Sequence, residues 1–236
     1  MNSEATTKQP EKYYPLVIGK YLLLLLIPLI GFGIYQIMNR KDSDKKSINE
    51  LTFLEKGLQL FTATTLGTFT DNRDGQTYKW VRLKDGKKWM AQNLKYQMTD
   101  TWCYDDESNN CATYGRLYSW EAAQKACPSG WRLPSDKEWR KMAKHYGGCD
   151  DDAQDGGQAA YAALIQGGRS GFSALLGGYK FSTEDFYDLD TRGYYWSSTE
   201  RSATFIWHYR LNQYHEKFYR SVGSKSWACA CRCLRD

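Results

Sequence analysis

Ala126-Cys-Pro-Ser-Gly-Trp-Arg-Leu-Pro-Ser135 runs directly into Asp136-Lys-Glu-Trp-Arg-Lys-Met-Ala-Lys-His-Tyr146, and this pair of segments decides the fold class. Pro128 ends a helix read over 119–126, in which Ser119 caps and Ala122, Ala123 and Ala126 favour helical backbone. Ser135 and Glu138 have the spacing of a capping box, in which each side chain satisfies the other's backbone N–H. Trp139, Met142, Ala143 and Tyr146 then recur at i, i+3, i+4 and i+7, which is one apolar helix face. Gly147-Gly148 stops that helix.

The segments around these two helices have period two. Residues 77–83 alternate between the turn signals Arg73-Asp-Gly75 and Asp85-Gly86, and residues 88–91 return as the second arm of a hairpin. Residues 156–178 are rich in Gly and Ala, with a short helix expected over 159–165. Farther on, Phe205, Trp207, Tyr209 and Leu211 alternate with Ile206, His208 and Arg210, and 217–222 and 228–234 read as further strands. Short antiparallel strands, two helices and a long loop-rich middle make an α+β domain.

The chain has 236 residues and a formal net charge of +5, with seven Cys, nine Trp, eighteen Tyr and only three His. Abundant aromatics exclude a disordered chain. The scarcity of His disfavours a multi-His metal centre. The aromatics are unevenly placed: every Trp lies between Trp80 and Trp227. The globular domain is therefore set at 71–236.

Tyr21-Leu-Leu-Leu-Leu-Leu-Ile-Pro-Leu-Ile-Gly-Phe-Gly-Ile-Tyr-Gln-Ile-Met38 carries no charge, and extension to Leu16 is interrupted only by Lys20. A bilayer-crossing helix needs about 20 apolar residues, so 16–38 reads as a transmembrane anchor and 1–15 as a cytoplasmic tail. A cleaved signal peptide needs small residues after the apolar run; Gln36-Ile-Met-Asn-Arg-Lys41 supplies none. Lysine and arginine counts on either side are nearly balanced and lean slightly against an exported C-terminus. Residues 39–70 read as a short helix, begun by the Ser47/Glu50 box, and a Thr-rich linker over 62–70.

The cysteines are Cys103, Cys111, Cys127, Cys149, Cys229, Cys231 and Cys233. A C-x-C-x-C run on a strand aligns three thiols on one face but is too extended to wrap one tetrahedral ion, and zinc sites favour C-x(2–4)-C pairs. Beside an anchor, disulfides are the better account and place the domain outside the cytoplasm, in the periplasm or at the cell surface.

Asp74-Gly-Gln-Thr-Tyr-Lys-Trp80, Trp89-Met-Ala-Gln-Asn-Leu94, Asn110-Cys-Ala-Thr-Tyr-Gly-Arg-Leu-Tyr118, Ala126-Cys-Pro-Ser-Gly-Trp-Arg-Leu-Pro-Ser135, Gly171-Phe-Ser-Ala-Leu175, Trp196-Ser-Ser-Thr-Glu200 and Cys231-Arg-Cys-Leu-Arg-Asp236 follow one another collinearly. In order and spacing they resemble the Fibrobacter succinogenes major paralogous domain. That resemblance implies an exported or surface-attached protein with a variant of the C-type lectin fold. It also implies a bond from Cys127 to Cys233, joining the first helix to the last strand, and a Cys103–Cys111 clip. Cys149, Cys229 and Cys231 depart from the family pattern. One of the latter two pairs with Cys149 or stays free, and an odd count permits an intermolecular bridge.

The sequence holds neither the Glu-Pro-Asn or Gln-Pro-Asp loop nor the Trp-Asn-Asp strand of a calcium-dependent lectin. Asp150-Asp-Asp152 with Asp155 reads as a solvated acidic loop rather than a cation site. His208 reads as an exposed strand residue, and no G-x-S-x-G elbow accompanies Ser197-Ser198. Catalytic residues, metals and cofactors are therefore not assigned. The candidate ligand-binding residues are Tyr194, Tyr195, Trp207, Tyr209, Arg210, Tyr214, Tyr219 and Arg220, since aromatic faces stack on sugar rings and Tyr suits adaptable interfaces. Same-face alternation assigns Trp207 and Tyr209 to the core as the competing reading. The balanced charge of the domain argues against nucleic acid. The expected function is a membrane-anchored, non-catalytic binding or adhesion module for a polysaccharide or surface protein. The alternatives are a structural component of a surface complex, oligomeric through the odd cysteine, and a Cys229/Cys231 oxidase akin to formylglycine-generating enzymes.

Overall fold

The structure is a computed structural model that describes residues 65–182 and 185–236. The expected anchor, tail and juxtamembrane helix lie outside the described residues. Among the described residues, no helix is long and apolar enough to cross a membrane. Over the described residues the architecture is α+β: a four-stranded sheet and an eight-stranded sheet with four short α-helices.

The small sheet begins earlier than expected. Residues read as linker form β1 (Leu66–Thr70), antiparallel to β2 (Thr77–Arg82) with Leu66 opposite Val81 and Thr70 opposite Thr77. Threonine is a strand former as well as a linker residue. Phe69 fixes the assignment, its ring lying 4.4 Å from Trp131 and 5.5 Å from Tyr78. A side chain at Gly67 would collide with the Trp80 indole at 2.5 Å. In the β1–β2 turn, Arg73 pairs with buried Asp71 at 2.7 Å and also donates to the Ala126 carbonyl. The turn is thereby tied to the end of the first predicted helix. The predicted hairpin is present as β2 and β3 (Lys88–Met90), closed through Gly86 at φ +86°.

The large sheet is built from β4 (Thr101–Trp102), β5 (Leu117–Ser119), β6 (Gly177–Lys180), β7 (Phe186–Leu189), β8 (Arg192–Glu200), β9 (Phe205–Asn212), β10 (Lys217–Ser224) and β11 (Ala228–Ala230). Their order is β10-β9-β8-β6-β11-β5-β4, with β7 paired to β6. The closing strand expected over 228–234 is interrupted: β12 (Leu234–Arg235) leaves for the small sheet and pairs with β3.

Two helices are where the capping chemistry puts them. In α2 (Trp120–Ala126) Ser119 Oγ accepts from the Ala122 N–H at 3.1 Å. In α3 (Asp136–Lys144) the box is complete, with the Ser135 N–H donating to Glu138 and the Glu138 N–H donating to Ser135. Two more helices bracket them. The first, α1 (Ser108–Tyr114), was not expected and carries Cys111 of the clip; the other, α4 (Gln158–Leu164), is the short helix expected over 159–165. Asp155 starts α4 by accepting from the Gly157 and Ala159 N–H groups.

The large sheet is covered on both faces. On one side Trp139 meets Trp89, Phe172, Tyr195, Tyr209 and Phe218; on the other lie Tyr118, Trp196, Ile206, Cys229 and Cys231. Two-sided burial corrects the reading of β9. His208, expected at the surface, is 2% exposed, because its face packs against Tyr194, Trp196 and Trp227.

Two disulfides are present, Cys127–Cys233 and Cys103–Cys111. The former spans 106 residues and fastens the end of α2 beside β12. Joint replacement Cys127→Ala and Cys233→Ala should lower the unfolding free energy by about 2–5 kcal/mol, measurable by denaturant titration. A second lever is Glu138. Burial alone would raise its carboxyl, but hydrogen bonds from Arg132, Ser135 and Lys87 outweigh burial and hold it at about 2, against an ordinary 4.5. A depressed carboxyl contributes its full stability above about pH 5 and loses it as pH falls from 4.5 toward 2. Acid titration of stability should fall by roughly 2 kcal/mol in that window, and Glu138→Gln should flatten it.

Candidate functional site

The eight residues singled out by sequence do not form one surface. Tyr195 and Tyr209 are fully buried, and Tyr194 is 4% exposed. Their hydroxyls are committed inside the protein: Tyr195 to the Leu175 carbonyl, Tyr209 to Asp136 and Tyr194 to Asp188. These three are supports rather than open ligand groups.

Trp207 and Arg220 lie on the face of β9–β10 that turns toward α3. The Arg220 guanidinium sits 3.4 Å over the Trp207 ring. It also grips both Asp136 oxygens, at 2.7 and 2.9 Å, and reaches Asp151 at 3.3 Å. Asp136 pushes its proton affinity still higher. Arg220 is therefore a bracket between β10 and α3, with its charge already balanced.

Arg210, Tyr214 and Tyr219 belong to the opposite side and to the hairpin tip. Arg210 stands opposite Tyr194 on β8 and Tyr219 on β10. Its guanidinium is 5.9 Å from the first ring and 4.7 Å from the second. The row continues beyond Tyr194. Tyr179 on β6 lies 4.5 Å from it, and Tyr187 on β7 lies 5.8 Å from Tyr179. Five strands thus align Tyr187, Tyr179, Tyr194, Arg210 and Tyr219. The ends are open: Tyr187 is 44% exposed, and Tyr214 beside the Tyr219 end is 71% exposed. The Nε atoms of Arg210 and of nearby Arg192 are buried without a hydrogen-bond partner. Sequence reasoning missed Tyr179 and Tyr187, because their membership depends on the parallel pairing of β6 with β8.

Reactive groups are absent from this row. Cys149, Cys229 and Cys231 are unpaired, and burial pushes each thiol well above its ordinary range. Cys149 belongs to the core beneath α3 and the other two to the opposite core, so of the alternatives left open the structure has free thiols rather than a pairing with Cys149. His208 is pushed down to about 3 by burial and, secondarily, by Arg210. Neither of its ring nitrogens has a partner. Ser197 donates instead to the Trp207 carbonyl. The acidic loop is not free either. Asp151 and Asp152 pair with Arg140, Asp152 also accepts from the Cys149 N–H, and Asp150 accepts from the Arg220 N–H.

A second feature was not anticipated. A cleft of about 180 Å³ is lined by Ala91–Asn93, Lys95, Ala112–Gly115, Gln166, Ser173 and Leu175. Three of the collinear sequence stretches supply most of its wall. Directly behind it lies Arg232, which is completely buried. Its guanidinium donates to Asn93 Oδ1 and to the Met90, Phe172 and Ser173 carbonyls at 2.5–3.0 Å.

Fold and site together define a disulfide-stapled α+β domain whose distinctive surface is aromatic and cationic. The model of the Fibrobacter succinogenes major domain matches residues 69–235, and the chain belongs to that family. No curated protein and no solved structure matches the chain.

Fully buried, fully protonated thiols should resist modification. Maleimide at neutral pH should leave Cys149, Cys229 and Cys231 unlabelled until denaturant is added. Mass mapping of labelled peptides checks this, and labelling of the native chain would contradict it.

Proposed function

We propose that this protein is a membrane-anchored, extracytoplasmic binding module without catalytic turnover, recognising a glycan or an envelope protein. The observation that carries the reading is the row Tyr187–Tyr179–Tyr194–Arg210–Tyr219, in register across five strands. Strands about 4.8 Å apart make such a row roughly 20 Å long; buried Tyr194 braces its centre, and the exposed Tyr187 end and the half-buried Arg210–Tyr219 end are the parts that face a ligand. Aromatic faces offer apolar stacking, and Arg210 offers donors to hydroxyls or acids.

Further support comes from the uncharged stretch Tyr21 to Met38 and from the two disulfides, which suit an oxidising compartment. A C-type-lectin-like fold is part of the proposal. It is supported by the Cys127–Cys233 bond, which joins the helix before the Gly130-Trp-Arg-Leu-Pro134 segment to the final strand. The oxidase alternative is disfavoured by neutral, buried thiols. A covalent oligomer is disfavoured for the same reason, since a buried sulfur cannot reach a neighbouring chain.

Full-length protein in lipid nanodiscs should retain at least one polysaccharide or envelope protein from a panel of immobilised candidates. The double variant Arg210→Ala/Tyr219→Ala should weaken that retention at least tenfold while leaving the thermal midpoint within a few degrees. A panel that gives no retention would sink the reading.

A further inference from the structure

We infer that the cleft bounded by Gln92, Asn93, Lys95, Gln166 and Ser173 binds a single acidic sugar unit through its carboxylate. The inference rests on the glycan-binding reading above and specifies a second subsite for it.

The charge pattern carries the argument. No Asp or Glu lines the cleft. Lys95 stands at its wall, and among the described residues the only hydrogen bond of its ammonium is to the Ala112 carbonyl. Arg232 lies behind the wall, bonded to two lining residues, Asn93 and Ser173. Its other acceptors are carbonyls, and among the described residues no carboxylate pairs with it. Removing a cation from water without a counter-ion is costly, and carbonyl dipoles neutralise no net charge. Two cations on one side of a low-dielectric wall leave the cleft electropositive. A carboxylate entering there gains charge-assisted hydrogen bonds from Lys95.

The remaining groups suit hydroxyls. Among the described residues, the Ser173 hydroxyl, the Gln166 amide and Gln92 Nε2 make no hydrogen bond within the protein, while all three residues line the cleft. Each offers a donor, and Ser173 and Gln166 offer acceptors too, which matches the two-way hydrogen bonding of a sugar hydroxyl. Asn93 is not part of this free set, since its amide donates to the Tyr114 carbonyl and holds the wall. The volume equals that of about six liquid waters at roughly 30 Å³ each, the scale of one pyranose.

The test is ligand-observed saturation-transfer NMR with the full chain in nanodiscs and three probes: D-glucuronate, D-glucose and acetate. Glucuronate should receive saturation, with much weaker signals from glucose and acetate. Lys95→Met should reduce glucuronate affinity at least tenfold, and Gln166→Ala should reduce it several-fold. Both side chains are at the cleft surface, and an unchanged melting midpoint verifies the fold. Equal transfer to glucose would overturn the charge argument. Equal transfer to acetate would overturn the sugar assignment. Absence of transfer to glucuronate, or wild-type affinity in Lys95→Met, would overturn the site. Polysaccharide retention that survives Lys95→Met unchanged would remove this inference while leaving the binding module standing; loss of all retention in the wild type would remove both.

Discussion

The structure turns on one buried guanidinium. Arg232 sits between Cys231 and Cys233 and has no solvent exposure. It gathers the end of β3 and the chain just beyond it through Met90 and Asn93, and the segment before β6 through Phe172 and Ser173. Burial pushes its proton affinity down, with Tyr195 opposing, to about 10, so it remains charged at neutral pH. A planar fork of five donors can serve four acceptors held by two segments; a lysine ammonium presents three donors from one point and cannot span them. The neighbouring backbone completes the junction, with the Leu94 N–H donating to the Cys231 carbonyl and the Met90 N–H to the Cys233 carbonyl. The break between β11 and β12 follows from this inward turn.

That junction explains why the two sheets and two cores form one domain. β11 lies in the middle of the large sheet, touching β5, β6 and β8, and β12 closes the small sheet. Arg132 and Lys87 then converge on Glu138 and Asp236, linking α3, the hairpin and the C-terminus. The candidate ligand surfaces sit on opposite products of this arrangement: the tyrosine–arginine row on the β6–β10 side, and the cleft against the Arg232 shell.

What could be read from sequence was local. The capping box at Ser135 and Glu138, the cap at Ser119 and the 77–90 hairpin are short-range chemistry, and each formed as its residues require. The α+β class followed from them. Position-by-position exposure was less legible. His208 looked like a surface residue because its neighbours alternate with apolar ones, yet a sheet covered on both faces buries both sets. Likewise β1 looked like linker until Val81 and Trp80 supplied a partner 13 or more residues away. Of the eight candidate ligand residues, the three most internal ones failed for the same reason. Arg210 and Tyr219 hold their places in a row whose other members only the β6–β8 pairing could reveal.

The central position of β11 bears on how the chain is made. A ribosome releases residues from the N-terminus onward, so the strand that occupies the middle of the large sheet is among the last of this domain to emerge. Until it does, β5, β6 and β8 have an empty lane between them, and Cys127 waits for a partner 106 residues downstream. The domain therefore cannot assemble by adding finished layers during synthesis. It must hold its early hairpin and helices in an open arrangement and close around its own tail in one late, long-range step, with the slow kinetics that distant pairings impose.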